Sequence, residues 1–231
     1  MTRRIPFSVV TKPTGAACNL DCQYCFFLSK ELLYDAKAQT MSEGTLERYV
    51  ESYLESSGDG EVTMLWQGGE PTLRGLGFFE HLMELCERYR RPAQRVRHAL
   101  QTNGTLVTEE WARFFADHGF LVGVSIDGPA PLHDAYRVNR GGRGTHAMVV
   151  RGWEALERAG VETNILSCAR STPRTRSTGR RCIATSVTSL GLATCSSFPL
   201  LSVCAPPTWL RLSAAGAPGP RPSCIDRTGT A

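Results

Sequence analysis

A chain of 231 residues suits one domain, or one domain with an appended segment. Its 42% hydrophobic and 21% charged residues match an ordinary soluble globular protein and set aside fibrous and membrane-embedded classes. The formal charge of +4 is uneven: residues 1–166 carry 18 Lys or Arg against 21 Asp or Glu, whereas residues 167–231 carry 8 Arg against Asp226 alone, so no nucleic-acid groove is expected on the main domain.

Taken in chain order, Phe7–Lys12 reads as a first strand that runs into a cysteine-rich loop. Ser42 with Thr45–Glu47 opens a helix through about Leu54, and Glu61–Trp66 reads as a buried strand. Gly77–Tyr89 places Phe78, Leu82 and Leu85 at helical spacing. Val96–Gln101 is the next strand, and Thr108 is a suitable N-cap for a helix over Glu109–Asp117 that Gly119 closes. Phe120–Ile126, a helix over Thr145–Ala159 and a fifth strand over Val161–Leu166 complete the alternation. Strands alternating with helices imply a parallel sheet of βαβ units. Such sheets carry their chemistry on loops at the carboxyl ends of the strands. Three distinctive segments fall there: Trp66–Pro71, Gln101–Gly104 and Ser125–Gly128.

Nine cysteines raise the question of a disulfide scaffold. The number is odd, three of the cysteines are too closely spaced to pair comfortably, and Met1–Phe7 leads into polar sequence without an apolar signal core. A reducing cytoplasm is therefore the expected compartment, where clustered cysteines bind metal or do chemistry. Cys18, Cys22 and Cys25 form a C-x3-C-x2-C run. Three thiolates this close wrap one corner of a 4Fe–4S cubane and leave one iron without a protein ligand, as an open catalytic metal requires. A zinc site completed by Cys86 or a histidine is the competing reading, weakened by the lack of a second C-x2-C pair. Gly68 and Gly69, in Gln67-Gly68-Gly69-Glu70-Pro71, would let the backbone approach a ligand closely, although a plain tight turn reads the same way. Asn103 is either polar lining or the turn residue of its Asn-Gly context.

The C-x3-C-x2-C run followed by Phe26 resembles the signature of the radical S-adenosylmethionine superfamily. The narrower string Cys18-Asn-Leu-Asp-Cys22-Gln-Tyr-Cys25-Phe-Phe-Leu-Ser-Lys is similar to the anaerobic sulfatase-maturating enzymes. So are Trp66-Gln-Gly-Gly-Glu-Pro-Thr-Leu, Gln101-Thr-Asn-Gly-Thr-Leu, Ser125-Ile-Asp-Gly-Pro and His133-Asp-Ala-Tyr-Arg137, all in one register. The resemblance implies an incomplete (β/α)6 partial TIM barrel over about residues 5–166. It implies one 4Fe–4S cluster held by Cys18, Cys22 and Cys25, whose open iron chelates S-adenosylmethionine and whose electron releases a 5′-deoxyadenosyl radical. It places Tyr24 against the adenine, Gly68, Gly69 and Glu70 at the cofactor's amino group, and Ser125 and Arg137 at its carboxylate. The implied reaction oxidises a Cys or Ser of a sulfatase polypeptide to Cα-formylglycine, with flavodoxin or ferredoxin as electron donor. Another peptide-modifying radical enzyme would share every cofactor motif, and a non-enzymatic zinc-binding domain is the reading from a different class.

Members of the family continue into a cysteine-rich SPASM domain with two further clusters and an aspartate base. Here Cys182, Cys195, Cys204, Cys224 and Asp226 lack that spacing, so no catalytic base is assigned. Residues 167–231 hold 19 Ser or Thr and 7 of the 13 prolines, an irregular low-complexity composition. They read as a disordered extension or, because the break falls at the end of a core strand, as translation in a shifted frame. Cys182–Leu210 has no charged residue, but nine Ser or Thr and Pro206–Pro207 argue against a membrane span. No membrane partner is expected.

Overall fold

The structure is a computed structural model that describes residues 7–25, 27 and 40–167. Phe26 and everything after Ser167, including the tail cysteines and Asp226, lie outside the described residues. Strands β1 (Val9–Thr11), β2 (Gly60–Trp66), β3 (Gln94–Thr102), β4 (Leu121–Ser125) and β5 (Glu162–Leu166) form one parallel sheet in sequential order. Helices α1 (Glu43–Ser56), α2 (Leu76–Tyr89), α3 (Glu109–Asp117), α4 (Ala130–Tyr136) and α5 (His146–Arg158) fill the crossovers, with a 3₁₀ turn at Pro71–Arg74. A strand order that never reverses distinguishes a barrel wall from a doubly wound sheet. Crossovers of one hand then place all helices on one face.

The strand alternation agrees. On β2, Val62, Met64 and Trp66 are buried in one core cluster with Leu46, Val50 and Leu54 of α1 and Phe79, Leu82 and Leu85 of α2. Trp66, Phe79 and Trp111 continue it edge to face, at 5.8 and 5.6 Å between ring centroids. Each such side chain stabilises the fold by roughly 1.5–3 kcal/mol, so the helical side carries the stability. The residues between them, including Leu65, Ala99, Gln101, Gly123, Ser125 and Asn164, occupy the opposite face of the sheet.

Local signals set the helix starts. Ser42 Oγ accepts the Thr45 N–H at 3.2 Å to begin α1, and Thr108 Oγ1 accepts the Trp111 N–H at 3.4 Å to begin α3. Helix α4 was not expected from the sequence, because Gly128-Pro129-Ala130-Pro131 reads as a loop. Proline within the first turn is nonetheless compatible with a helix start, where its missing N–H is not needed. No helix among the described residues is long and apolar enough to cross a membrane. The register aligns Thr11 with Trp66, Thr102 with Val124 and Ser125 with Leu166. The loops that follow β1, β2, β3 and β4 therefore meet on one rim.

Candidate functional site

The cysteine loop leaves β1 and is clamped from two sides. From one side, Gly69 N–H donates to the Gly15 carbonyl at 2.9 Å and Glu70 N–H to the Ala17 carbonyl at 2.8 Å. A Cβ on Gly69 would lie 1.9 Å from the Ala17 oxygen, and Gly68, at φ +130°, would bring its own to 2.9 Å from the Gly15 oxygen. The glycine pair thus lets the cysteine loop seat against the turn after β2; the close approach is between two segments of the chain itself. From the other side, Asp21 N–H donates to the Val138 carbonyl and Gln23 N–H to the Tyr136 carbonyl, with an antiparallel bridge between Leu20 and Asn139. Arg140 donates Nε and Nη2 to the Cys18 carbonyl at 3.1 and 2.9 Å.

Glu70 is fully buried and has no exposed face toward a ligand. Its Oε1 accepts from Thr72 N–H, Thr72 Oγ1 and Thr102 Oγ1, and its Oε2 accepts from Asn103 N–H at 2.7 Å. Burial raises its pKa, and these donors work in the opposite direction. The carboxylate ties the ends of β2 and β3 together. Asn103 then reaches the cysteine loop with its carboxamide: Nδ2 donates to Asn19 Oδ1 at 2.9 Å and to Cys18 Sγ at 3.7 Å. Leu20 N–H points at the same sulfur from 3.4 Å. Burial pushes the Cys18 thiol up to about 11, while the Leu20 and Asn103 donors favour its thiolate.

Around Cys22 the arrangement is ionic. Arg137 Nε donates to Asp127 Oδ2 at 2.7 Å, both side chains being almost wholly buried. Tyr24 Oη donates to the same carboxylate, and the Arg137 guanidinium stands 5.4 Å from the Tyr24 ring centroid. Burial raises the Cys22 pKa, and the Arg137 charge beside it pulls it down. Burial opposes the Arg137 charge, but Asp127 more than restores it. His133 completes the group: Nδ1 accepts the Asp127 N–H at 3.3 Å, and Nε2 meets Thr145 Oγ1 at 3.1 Å. Since Thr145 Oγ1 donates to the Arg137 carbonyl, Nε2 carries the proton and the ring is neutral. Burial and the neighbouring Arg137 lower its pKa to about 4.

The rim therefore gathers Cys18, Cys22, Cys25, Tyr24, Gly68, Gly69, Glu70 and Arg137, joined by Ser125 at the end of β4. Ser125 Oγ accepts from Gln101 Nε2 at 3.0 Å, across the space that Gly123 leaves by lacking a Cβ. Two of these side chains already have protein partners. Glu70 holds protein groups, and Arg137 already faces the Asp127 carboxylate. Sequence reading assigned no role to Asp127, His133 or Asn19. Asp127 and His133 stood inside the quoted segments, but nothing local reveals that an acid and an arginine ten residues apart face each other. Arg140 had no signal at all.

The donor set fits an iron–sulfur cluster. Three unpaired thiols leave one loop, with N–H donors and a guanidinium set against them. Among the described residues no three His, Cys, Asp or Glu side chains converge as one small-ion site. Among the described residues, three candidates for the fourth ligand of a zinc site are committed elsewhere. Cys86 is buried in α2 against Met64 Sδ, His98 stacks on Phe120, and His133 is hydrogen-bonded as above.

Residues 13–170 match the radical SAM superfamily. The serine-type anaerobic sulfatase-maturating enzyme of Bacteroides thetaiotaomicron is 42% identical over 163 residues, covering 70% of this chain and 39% of that protein. The cysteine-type anaerobic sulfatase-maturating enzyme of Clostridium perfringens is 40% identical over 167 residues, covering 72% and 45%. The solved structure of native anSMEcpe with bound AdoMet and Cp18Cys peptide aligns with a TM-score of 0.72 at 36% identity, covering 81% of this chain and 49% of that one. The chain spans less than half the length of each of these relatives.

Proposed function

The chain belongs to the radical SAM superfamily, and from that premise we propose that it is the cofactor-binding part of a sulfatase-maturating radical enzyme. Cys18, Cys22 and Cys25 hold one 4Fe–4S cluster, and S-adenosylmethionine binds beside it. When bound, the pair supplies a carbon-centred radical able to take a hydrogen from a Cys or Ser side chain of a sulfatase polypeptide, the first move toward Cα-formylglycine. A flavodoxin or ferredoxin supplies the electron.

The observation that carries this reading is the double clamp on the cysteine loop, which fixes three thiols on the rim where the β2, β3 and β4 loops meet. In this reading the Gly68–Gly69 backbone borders the amino group of the cofactor, Ser125 offers its hydroxyl, and Tyr24 presents its ring to the adenine. Arg137 keeps N–H donors beyond those given to Asp127, and these reach a carboxylate. Glu70 acts through Asn103 and the β2 loop as a positioning residue. The identity to both serine-type and cysteine-type maturases supports the substrate class.

Anaerobic reconstitution with iron and sulfide, reduction with dithionite and an assay of S-adenosylmethionine cleavage test the cofactor half. One four-iron cluster per chain with 5′-deoxyadenosine released is the expected result. Zinc uptake in place of iron would overturn it. Mass analysis of sulfatase peptides carrying Cys or Ser tests the substrate half, and formylglycine in neither peptide would remove that assignment.

A further inference from the structure

Asn103 is the last residue before the turn that follows β3, and its carboxamide cannot be oriented either way round. Thr105 N–H, which can only donate, points at one carboxamide atom from 3.0 Å, so that atom is the oxygen. Thr105 Oγ1 donates to the same oxygen at 2.7 Å and accepts from Asn19 Nδ2 at 2.9 Å. Asn19 Oδ1 in turn accepts one Nδ2 hydrogen of Asn103 at 2.9 Å. The three side chains close a ring of hydrogen bonds that leaves Asn103 one N–H, and this points at Cys18 Sγ from 3.7 Å. Glu70 holds the Asn103 backbone N–H at 2.7 Å, which ties the ring to the core of the fold. An Asx turn accounts for the Thr105 N–H on the oxygen, but not for the bond to Asn19 or for the N–H that faces Cys18.

Donors on a cluster's thiolate draw charge from the sulfur, favour the more negative reduced state and raise the reduction potential. We propose that Asn103 is a positioning residue that tunes the cluster through Cys18. The inference rests on the cluster reading above. Asn19 and Thr105 aim its N–H at the sulfur, and a reduced cluster is stabilised by it before any substrate binds.

The test is an EPR-monitored redox titration of the full chain, reconstituted anaerobically, beside the Asn103→Leu and Thr105→Val variants. Asn103→Leu with iron content intact is expected to shift the reduction equilibrium about tenfold toward the oxidised form, a 59 mV fall in midpoint for a one-electron couple. Pulsed EPR on reduced protein carrying ¹⁵N-asparagine should show a nitrogen coupling that this variant loses. An unchanged midpoint in loaded Asn103→Leu, or no such coupling in the parent chain, would overturn the inference and leave the cluster in place. If Asn103→Leu does not load, Thr105→Val decides, because it keeps the carboxamide and the Thr105 N–H but opens the side-chain ring at the Thr105 hydroxyl, which loosens the N–H that faces Cys18; a lower midpoint supports the inference and an unchanged one overturns it. A parent chain that takes up zinc overturns the cluster reading, and this inference with it.

Discussion

Two buried acids hold the two sides of the cysteine loop, and they are answered in opposite ways. Glu70 meets four neutral donors from three residues and passes its hold to Cys18 through Asn103. Asp127 meets the guanidinium of Arg137, whose charge lies beside Cys22. At Glu70 the bonds are shared among many partners, so no single one dominates. At Asp127 the buried carboxylate is answered by the Arg137 charge together with the Tyr24 hydroxyl, and removing either charge of the pair leaves the other without it. One loop thus has a distributed clamp at its start and a concentrated one at its middle.

Neutralising each acid breaks or sharpens this contrast. Asp127→Asn should cost about 3–5 kcal/mol, since Arg137 stays buried without its counter-charge; urea unfolding of the metal-free chain measures it. Gly69→Ala should follow at about 3 kcal/mol, because neither backbone can give way to a Cβ 1.9 Å from the Ala17 carbonyl. It should also abolish iron loading, since the loop would no longer seat against the turn. Glu70→Gln should cost only about 1–2 kcal/mol: the Thr72 and Thr102 hydroxyls can rotate to accept, and one N–H conflict remains. Should Glu70→Gln prove as damaging as Asp127→Asn, the contrast between the clamps falls.

The smallest effect per step is pH dependence. His133 and His98 are held neutral, with pKa values lowered to about 4 from an ordinary 6.5 by burial. The unfolded chain binds protons that the folded one refuses between these values. Stability from each is therefore complete above pH 6.5 and lost as pH falls toward 4, by up to about 1.4 kcal/mol per pH unit. Denaturation midpoints measured from pH 7 to 4.5 should show this slope, and His133→Gln should roughly halve it.

Most of the scaffold was legible because it is written in local signals. Thr108 caps the helix over Glu109–Asp117 as its sequence suggests, and Glu61–Trp66, read as a buried strand, lies within β2, where Val62, Met64 and Trp66 are the buried residues. Helix α4 was hidden because proline reads equally as turn or as helix start. The rim was legible as a set of segments and illegible as a set of contacts. That Gly69 faces Ala17 and that Asn103 points at Cys18 depend on segments brought together by the sheet register, and that Asp127 takes Arg137 depends on how the chain folds back through α4. A pattern within one window holds no record of which window it will meet.

The bonds from Arg140 to Cys18 span 122 positions of chain, and the Leu20–Asn139 bridge is nearly as long. This places a constraint on timing. During synthesis at roughly 5–20 residues per second, the three thiols emerge early and wait several seconds before the segment that shapes them exists. Until residue 140 has left the ribosome they are an unshaped thiol cluster. On the cluster reading proposed above, the seat for iron is complete only once the chain has emerged past β4 to Arg140, and a chain halted earlier would expose the three thiols without it.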